Sequence, residues 1–122
     1  MKYLLFCCHE EKKLDSLSKN ECETLMDETS AYCEALKKSG HLIAVEQLDP
    51  VQAAMTVRVR NGKLSATDGP FAETKEQVGG FFLINARDLN EAIQVASKFP
   101  SVGLGSMEVR PVRELDWPAL KS

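Results

Sequence analysis

Two short segments, "KYLLFCC" at residues 2–8 and "GFFLINA" at residues 80–86, constrain the fold more than any other part of the chain. Successive strand residues point to opposite faces. In the first segment Tyr3, Leu5 and Cys7 fall on one face and Leu4, Phe6 and Cys8 on the other, and both faces are apolar. The second segment is apolar on both faces in the same way. Such strands are buried on both sides. The whole chain has 122 residues, enough for one domain and one core, so the expected organisation is a single domain over residues 1–122. Helices packed on one side of a sheet cover only one face. The simplest partner for the other face is a second copy of the same sheet, so the sequence predicts a homodimer with sheets face to face.

The remaining elements fall between these strands. A charged loop is expected over residues 10–19. A helix is expected over residues 21–39, with Leu25, Thr29, Tyr32 and Leu36 on one stripe and Cys22, Met26 and Cys33 beside it. Asn20 with Glu23 three residues on has the pattern of a capping box, and Gly40 suits the residue after the helix. A strand is expected over residues 42–48. "MTVRVRNGKLSATDG" is a hairpin sequence, because Asn61-Gly62 fits a two-residue turn with positive φ at both positions. Met55, Val57 and Val59 share one of its faces; Thr56, Arg58 and Arg60 share the other. A second helix is expected over residues 89–99, started by Asp88 with Glu91 and stopped by Pro100, with Leu89, Ala92, Ile93 and Ala96 as its inner stripe. A last strand follows over residues 106–112. The order is strand, helix, strand, hairpin, strand, helix, strand. That is the α+β, ferredoxin-like split βαβ pattern with an extra hairpin.

Composition removes several classes of function. The formal net charge is −3 and the pI about 5.4, with no basic stripe, so binding to nucleic acid through its phosphates is not expected. No apolar run approaches the length of a bilayer span, and the opening "MKYLLFCCHEEKK" breaks at His9, Glu10 and Glu11, too early for a signal peptide. A cytoplasmic protein is the expectation. The four cysteines, Cys7, Cys8, Cys22 and Cys33, form no Cys-x-x-Cys pair, and His9 and His41 complete no zinc pattern. Neither a metal nor a nucleotide cofactor is implied, since no phosphate-cradling glycine loop is present.

The most distinctive stretch is "TDGPFAETKEQVGG" at residues 67–80. Asp68 suits a turn, Pro70 fixes its own φ, and Phe71 follows as an apolar side chain on a loop. Gly79 and Gly80 open the next strand, where missing side chains signal a bulge or the close approach of another group. The segment from "TVRVRNGKLSATDGPFAETKEQVGG" through "ARDLNEAIQVASKFP" to "SMEVRPV" resembles the DGPF-motif branch of the YCII-related family. The resemblance covers about the last two thirds of the chain. It implies a dimeric α+β barrel with a cleft between the sheet and neighbouring loops. It implies no particular reaction; members of this branch are often encoded beside alternative sigma factors. Members of the wider family carry a His on the first helix paired with an Asp near the end of the second strand. Here the first helix has no His, and Thr29 lies near the corresponding place.

Six side chains are candidates for a site. Asp68 is a candidate general base at the mouth of a cleft, or else a turn-setting carboxylate. Arg58, with Arg60 beside it on the polar hairpin face, can clamp an anion in two-point fashion, or else guard a sheet edge against pairing. Glu73 and Lys75 are candidate loop contacts to a ligand, or solvated loop charges. Glu46 breaks the apolar pattern of "LIAVEQL", and His9 ends the first strand, where strand ends border clefts. Two functions remain open. One is a small-molecule-binding protein, extending to acid–base chemistry on a polar metabolite in a cleft bordered by the DGPF loop. The other is a non-catalytic dimeric module that senses a ligand or binds a protein, linked to sigma-factor regulation through the family resemblance.

Overall fold

The structure is a computed structural model that describes residues 1–120; residues 121 and 122 of the expected domain lie outside the described residues. Strand β1 (Lys2–His9) leads through a short helix α1 (Glu11–Asp15) into the long helix α2 (Lys19–Lys38). Strand β2 (Leu42–Gln47) follows, then the hairpin β3 (Met55–Arg60) and β4 (Lys63–Asp68). Strand β5 (Gln77–Asn85), helix α3 (Leu89–Ser97) and strand β6 (Gly105–Pro111) complete the fold. The main sheet has four antiparallel strands in the order β2-β5-β1-β6, and β3 and β4 form a separate two-stranded sheet. This is the expected ferredoxin-like α+β arrangement with its extra hairpin.

The core occupies one face of the sheet. Tyr3 and Leu5 of β1 and Phe82 and Ile84 of β5 meet Leu36 of α2 and Ala92, Val95 and Ala96 of α3, all buried. Phe99 closes the cluster, stacked on Phe82 at 4.1 Å between ring centres and edge-on to Tyr32 at 4.7 Å. The Tyr32 hydroxyl donates to the Val95 carbonyl at 2.7 Å, which ties α2 to α3. Leu4, Phe6, Phe81 and Leu83 point to the opposite face and are half-buried; the Arg110 guanidinium covers the Phe6 ring at 5.4 Å. Phe81 therefore lies on this second face and Phe82 on the core face.

Several local expectations are corrected. The loop expected over residues 10–19 contains α1, whose sequence "EKKLD" is too short and charged to show a helical stripe. Helix α2 starts two residues early: Ser18, not Asn20, is its cap, accepting from the Glu21 N–H at 3.1 Å while Glu21 Oε1 accepts from the Ser18 N–H at 2.9 Å. In α3 the inner stripe is Ala92, Val95 and Ala96, continued by Phe99; Leu89 and Ile93 are exposed. Burying Phe99 removes more apolar surface than burying Leu89, so the helix turns that way. Asp88 caps α3 as expected, accepting from the Glu91 N–H at 2.9 Å. Asn61 and Gly62 have φ of 51° and 74°, the geometry the hairpin turn requires.

Candidate functional site

A cavity of about 460 Å³ lies between the helix-facing side of the sheet and the N-terminal half of α2. It exists because the packing is uneven along α2. Leu36, Tyr32 and Cys33, in the C-terminal half, close onto the core. Cys22, Leu25 and Thr29, one and more turns earlier, face a part of β5 where Gly79 and Gly80 offer no side chains. The wall is mostly apolar, with Cys7, Leu14, Val45, Phe82 and Leu104 contributing, and the volume falls in the range of ordinary small-molecule sites. Cys7 is held by a 3.3 Å contact from its Sγ to Ser101 Oγ.

A second cavity of about 660 Å³ adjoins the first. Its wall is built by α1, the end of β2 and residues 48–52, and includes Glu11, Asp15 and Asp49. His9, Leu14, Gln47 and Gly79 line both spaces. His9 is therefore at their junction, and the local backbone explains how it gets there. Cys7 pairs with Gly80 and Cys8 with Val78, which leaves Gly79 as the extra residue of a β-bulge. A Cβ on Gly79 would overlap the His9 ring, with Nδ1 at 3.1 Å and Nε2 at 3.2 Å. The imidazole lies where a side chain at 79 would be. On the other flank Gly105 pairs with His9, and a Cβ there would come within 2.9 Å of His9 Cα and overlap the Cys8 carbonyl. Gly80 meets the Glu46 carbonyl oxygen, 2.8 Å from where its Cβ would be. The bulge and the close approach expected at Gly79-Gly80 are both present.

Two of the six candidates meet here. His9 and Glu46 line the same cavity; Glu46 does so from the edge strand β2, exposed and paired in register with Phe81. Thr29 of α2 lines it too. The other four stand elsewhere, outside the linings of both cavities. Asp68 ends β4, exposed, opposite Met55. The turn after it is fixed by its neighbours: the Gly69 N–H donates to the Ala54 carbonyl and the Thr56 hydroxyl donates to the Gly69 carbonyl, each at 2.8 Å, with Gly69 at φ 103°. Arg58 is half-buried on the polar hairpin face opposite Ser65, Glu73 is exposed, and Lys75 pairs with Glu10 at 3.7 Å. Arg60 donates to the neighbouring Val59 carbonyl at 3.3 Å. His41 makes contacts of 2.7 Å to Ser39 Oγ through Nδ1 and 3.1 Å to Glu91 Oε1 through Nε2, at the end of α2 remote from His9 in the sheet.

The thiols differ. Burial, first, and the neighbouring Cys7, Glu108 and Glu76 push the Cys8 thiol up, and burial pushes Cys33 up. All four cysteines are free and half-buried. Among the described residues no cluster of His, Cys, Asp and Glu is arranged to hold a metal ion, and no helix is long and apolar enough to cross a membrane. Cys7, Cys22, Gln47 and the acids of the second cavity had no distinguishing pattern in the sequence. The glycine pair, with the candidates His9 and Glu46, was the signal that pointed to this place.

The fold is a ferredoxin-like α+β domain with a mostly apolar cavity of about 460 Å³ at one end of the sheet. The chain belongs to the family of the YCII-related domain, whose model matches residues 1–116. It is 40% identical over 114 residues to an uncharacterised protein of Rhizobium meliloti (strain 1021), covering 92% of each chain.

Proposed function

We propose that this chain binds a small organic molecule in the cavity beneath α2, with His9 as the polar group that orients it. The observation that carries the reading is the His9 seat: beside the bulge at Gly79 its imidazole takes the space that a side chain at 79 would need, and His9 lines both cavities. Bulges beside sites commonly re-aim a side chain in this way. If the bound molecule is transformed, acid–base work falls to His9, whose imidazole lines the cavity, and not to Asp68, which stands outside it. A thermal-shift screen against small organic molecules tests the proposal, because a ligand of the native state raises its melting temperature. The shift is expected to disappear in Thr29→Phe, which fills the cavity, and to shrink in His9→Ala. Hits that bind both variants unchanged would move the site elsewhere.

A second observation favours a homodimer as the working form. The β3–β4 arm leaves one apolar face open, with Val57 62% and Leu64 72% exposed, and Phe71 on the loop beyond it is 82% exposed. A two-stranded hairpin is marginal alone. The arm and the Leu4, Phe6, Phe81 and Leu83 face of the sheet are both apolar surfaces short of cover, which a second copy supplies. Light scattering after size exclusion is expected to give twice the chain mass, and Val57→Lys with Leu64→Lys to return it to one. A monomer in the unaltered protein would leave the sheet-to-sheet dimer without support. In either oligomeric state the non-catalytic reading, a ligand-sensing module, uses the same cavity.

A further inference from the structure

The two adjoining cavities differ in chemistry, and the difference specifies a ligand. The inner space is walled mainly by Cys7, Leu25, Met26, Val45, Phe82 and Leu104. The outer space is lined by Glu11, Asp15 and Asp49, and among the described residues no Lys or Arg lines either one. The basic residues of α1, Lys12 and Lys13, are exposed and outside both linings. Glu11 is partly engaged, its carboxylate accepting from the Val51 N–H at 3.2 and 3.3 Å. That bond holds the segment after β2 against α1 and so shapes the outer wall. Asp15 and Asp49 are exposed and make no ion pair among the described residues. A concave wall of one charge sign concentrates the field inside it and draws the opposite charge.

We infer that the ligand of this site is an amphipathic cation: an apolar body in the inner cavity, passing the His9 ring, with an amine head in the outer one. This rests on the proposal that the cavity is a ligand site, and it reverses the charge expected from an Arg-clamped anion. A hydrocarbon or aromatic body gains by leaving water for the inner wall. An ammonium group gains from Asp15 and Asp49, whereas a carboxylate in the same place meets three carboxylates, with the His9 imidazole at the junction as the one basic group among the described lining residues. Gln47 and His9, at the junction, suit a hydrogen-bonding group between the two ends.

The test uses three probes with one apolar body and different heads: phenylpropylamine, phenylpropanol and phenylpropionate. Affinities are measured by calorimetry at low salt on the full chain. The expected order is amine, then alcohol, then carboxylate, with roughly tenfold between the first and last, the ratio that solvated charges a few ångströms apart produce. Asp15→Asn with Asp49→Asn, two exposed positions, is expected to erase the amine-over-carboxylate ratio and leave the alcohol unchanged. Raised salt is expected to compress the ratio in the unaltered protein. If alcohol and carboxylate bind as well as the amine, the head-group inference is overturned and the cavity stands as a ligand site. If none of the three binds, or all three bind Thr29→Phe equally well, the cavity reading fails with it.

Discussion

Two glycines flank His9, and alanine at each is expected to do different things. At Gly105 a Cβ would overlap the Cys8 carbonyl and lie 2.9 Å from His9 Cα and 3.0 Å from the Cys8 carbonyl carbon. All three are main-chain atoms of a central strand. They can move only by prising β6 from β1, the pair that runs in register from Tyr3 to His9. Overpacking of this kind costs about 3 kcal/mol. Replacing glycine also stiffens the unfolded chain, which returns up to ~1 kcal/mol. The net loss is about 2 kcal/mol, or a fall of ~8 °C in melting temperature for a chain of this size. At Gly79 the obstacle is the His9 ring, a side chain at the mouth of a cavity, which can rotate away. The stability change at Gly79→Ala is expected to stay within ~1 kcal/mol. The site, by contrast, loses its imidazole. Scanning calorimetry separates the two variants by stability, and the His9 ring resonances in NMR report its displacement. A Gly105→Ala variant as stable as the parent would refute the steric reasoning. A Gly79→Ala variant with unmoved His9 resonances and unchanged binding of phenylpropanol would refute the seat.

Ser18→Ala removes the side-chain half of the capping box on α2 and is expected to cost about 1 kcal/mol, read from the urea midpoint. Gly62→Ala puts a side chain at φ 74° in the hairpin turn; the arm is expected to lose amide-exchange protection while the four-stranded sheet keeps its own. Glu91 is held below its ordinary 4.5, first by the Arg87 N–H and then by His41 and Arg87, and Glu21 and Asp88 are lowered by cap hydrogen bonds. A folded pKa below the unfolded one contributes stability above the unfolded value and loses it as pH falls through the folded value. Melting temperature is therefore expected to drop as pH falls below about 4.5, with a shallower acid limb in Glu91→Gln. Cys33, its thiol pushed up by burial, is expected to react with iodoacetamide at mildly alkaline pH more slowly than an unhindered peptide thiol.

What the sequence disclosed depended on how local the cause was. Strand alternation in residues 3–8 survives into the structure because period two is set by the backbone itself. The Asn61-Gly62 turn survives because positive φ at both positions belongs to those residues. The start of α2 did not, since Ser18 with Glu21 and Asn20 with Glu23 offer the same spacing and only the surrounding chain chooses between them. Helix α3 offered two overlapping stripes, and the one ending in Phe99 prevailed through a contact with Phe82 from another strand. The site was harder still. His9 was visible as a polar residue at a strand end and Glu46 as a break in an apolar pattern, and both line the cavity. Asp15 and Asp49 looked like any surface acids, because only the meeting of α1 with the segment after β2 puts them around one space.

The DGPF stretch shows how conspicuous chemistry and position can part. Its Asp, Phe and charged residues lie on an arm and a loop, while its last two glycines lie in the sheet at the cavity. The two ends are tied to one another. Gln77 accepts from the Glu11 N–H at 3.0 Å and donates to the Thr74 carbonyl at 2.8 Å, so one side chain links the start of α1, the end of the loop and the bulged strand. Lys75 adds its ion pair to Glu10 beside that junction. Anything that seats the exposed Phe71 and the apolar arm, a second copy above all, therefore acts on a loop anchored two residues from Gly79. A molecule that displaces His9 pushes on the same bulge from the other side. The proposed ligand and the proposed second copy would then share a mechanical joint at residues 77–79, and coupling between them requires that each favour one arrangement of it. Gln77→Ala cuts the joint while leaving the cavity lining and the arm intact. Its expected effect is to make dimer affinity independent of bound phenylpropanol, measured by sedimentation with and without the alcohol. Equal ligand dependence in Gln77→Ala and the parent would mean that the two surfaces communicate through the sheet instead, by way of Phe81 and Phe82.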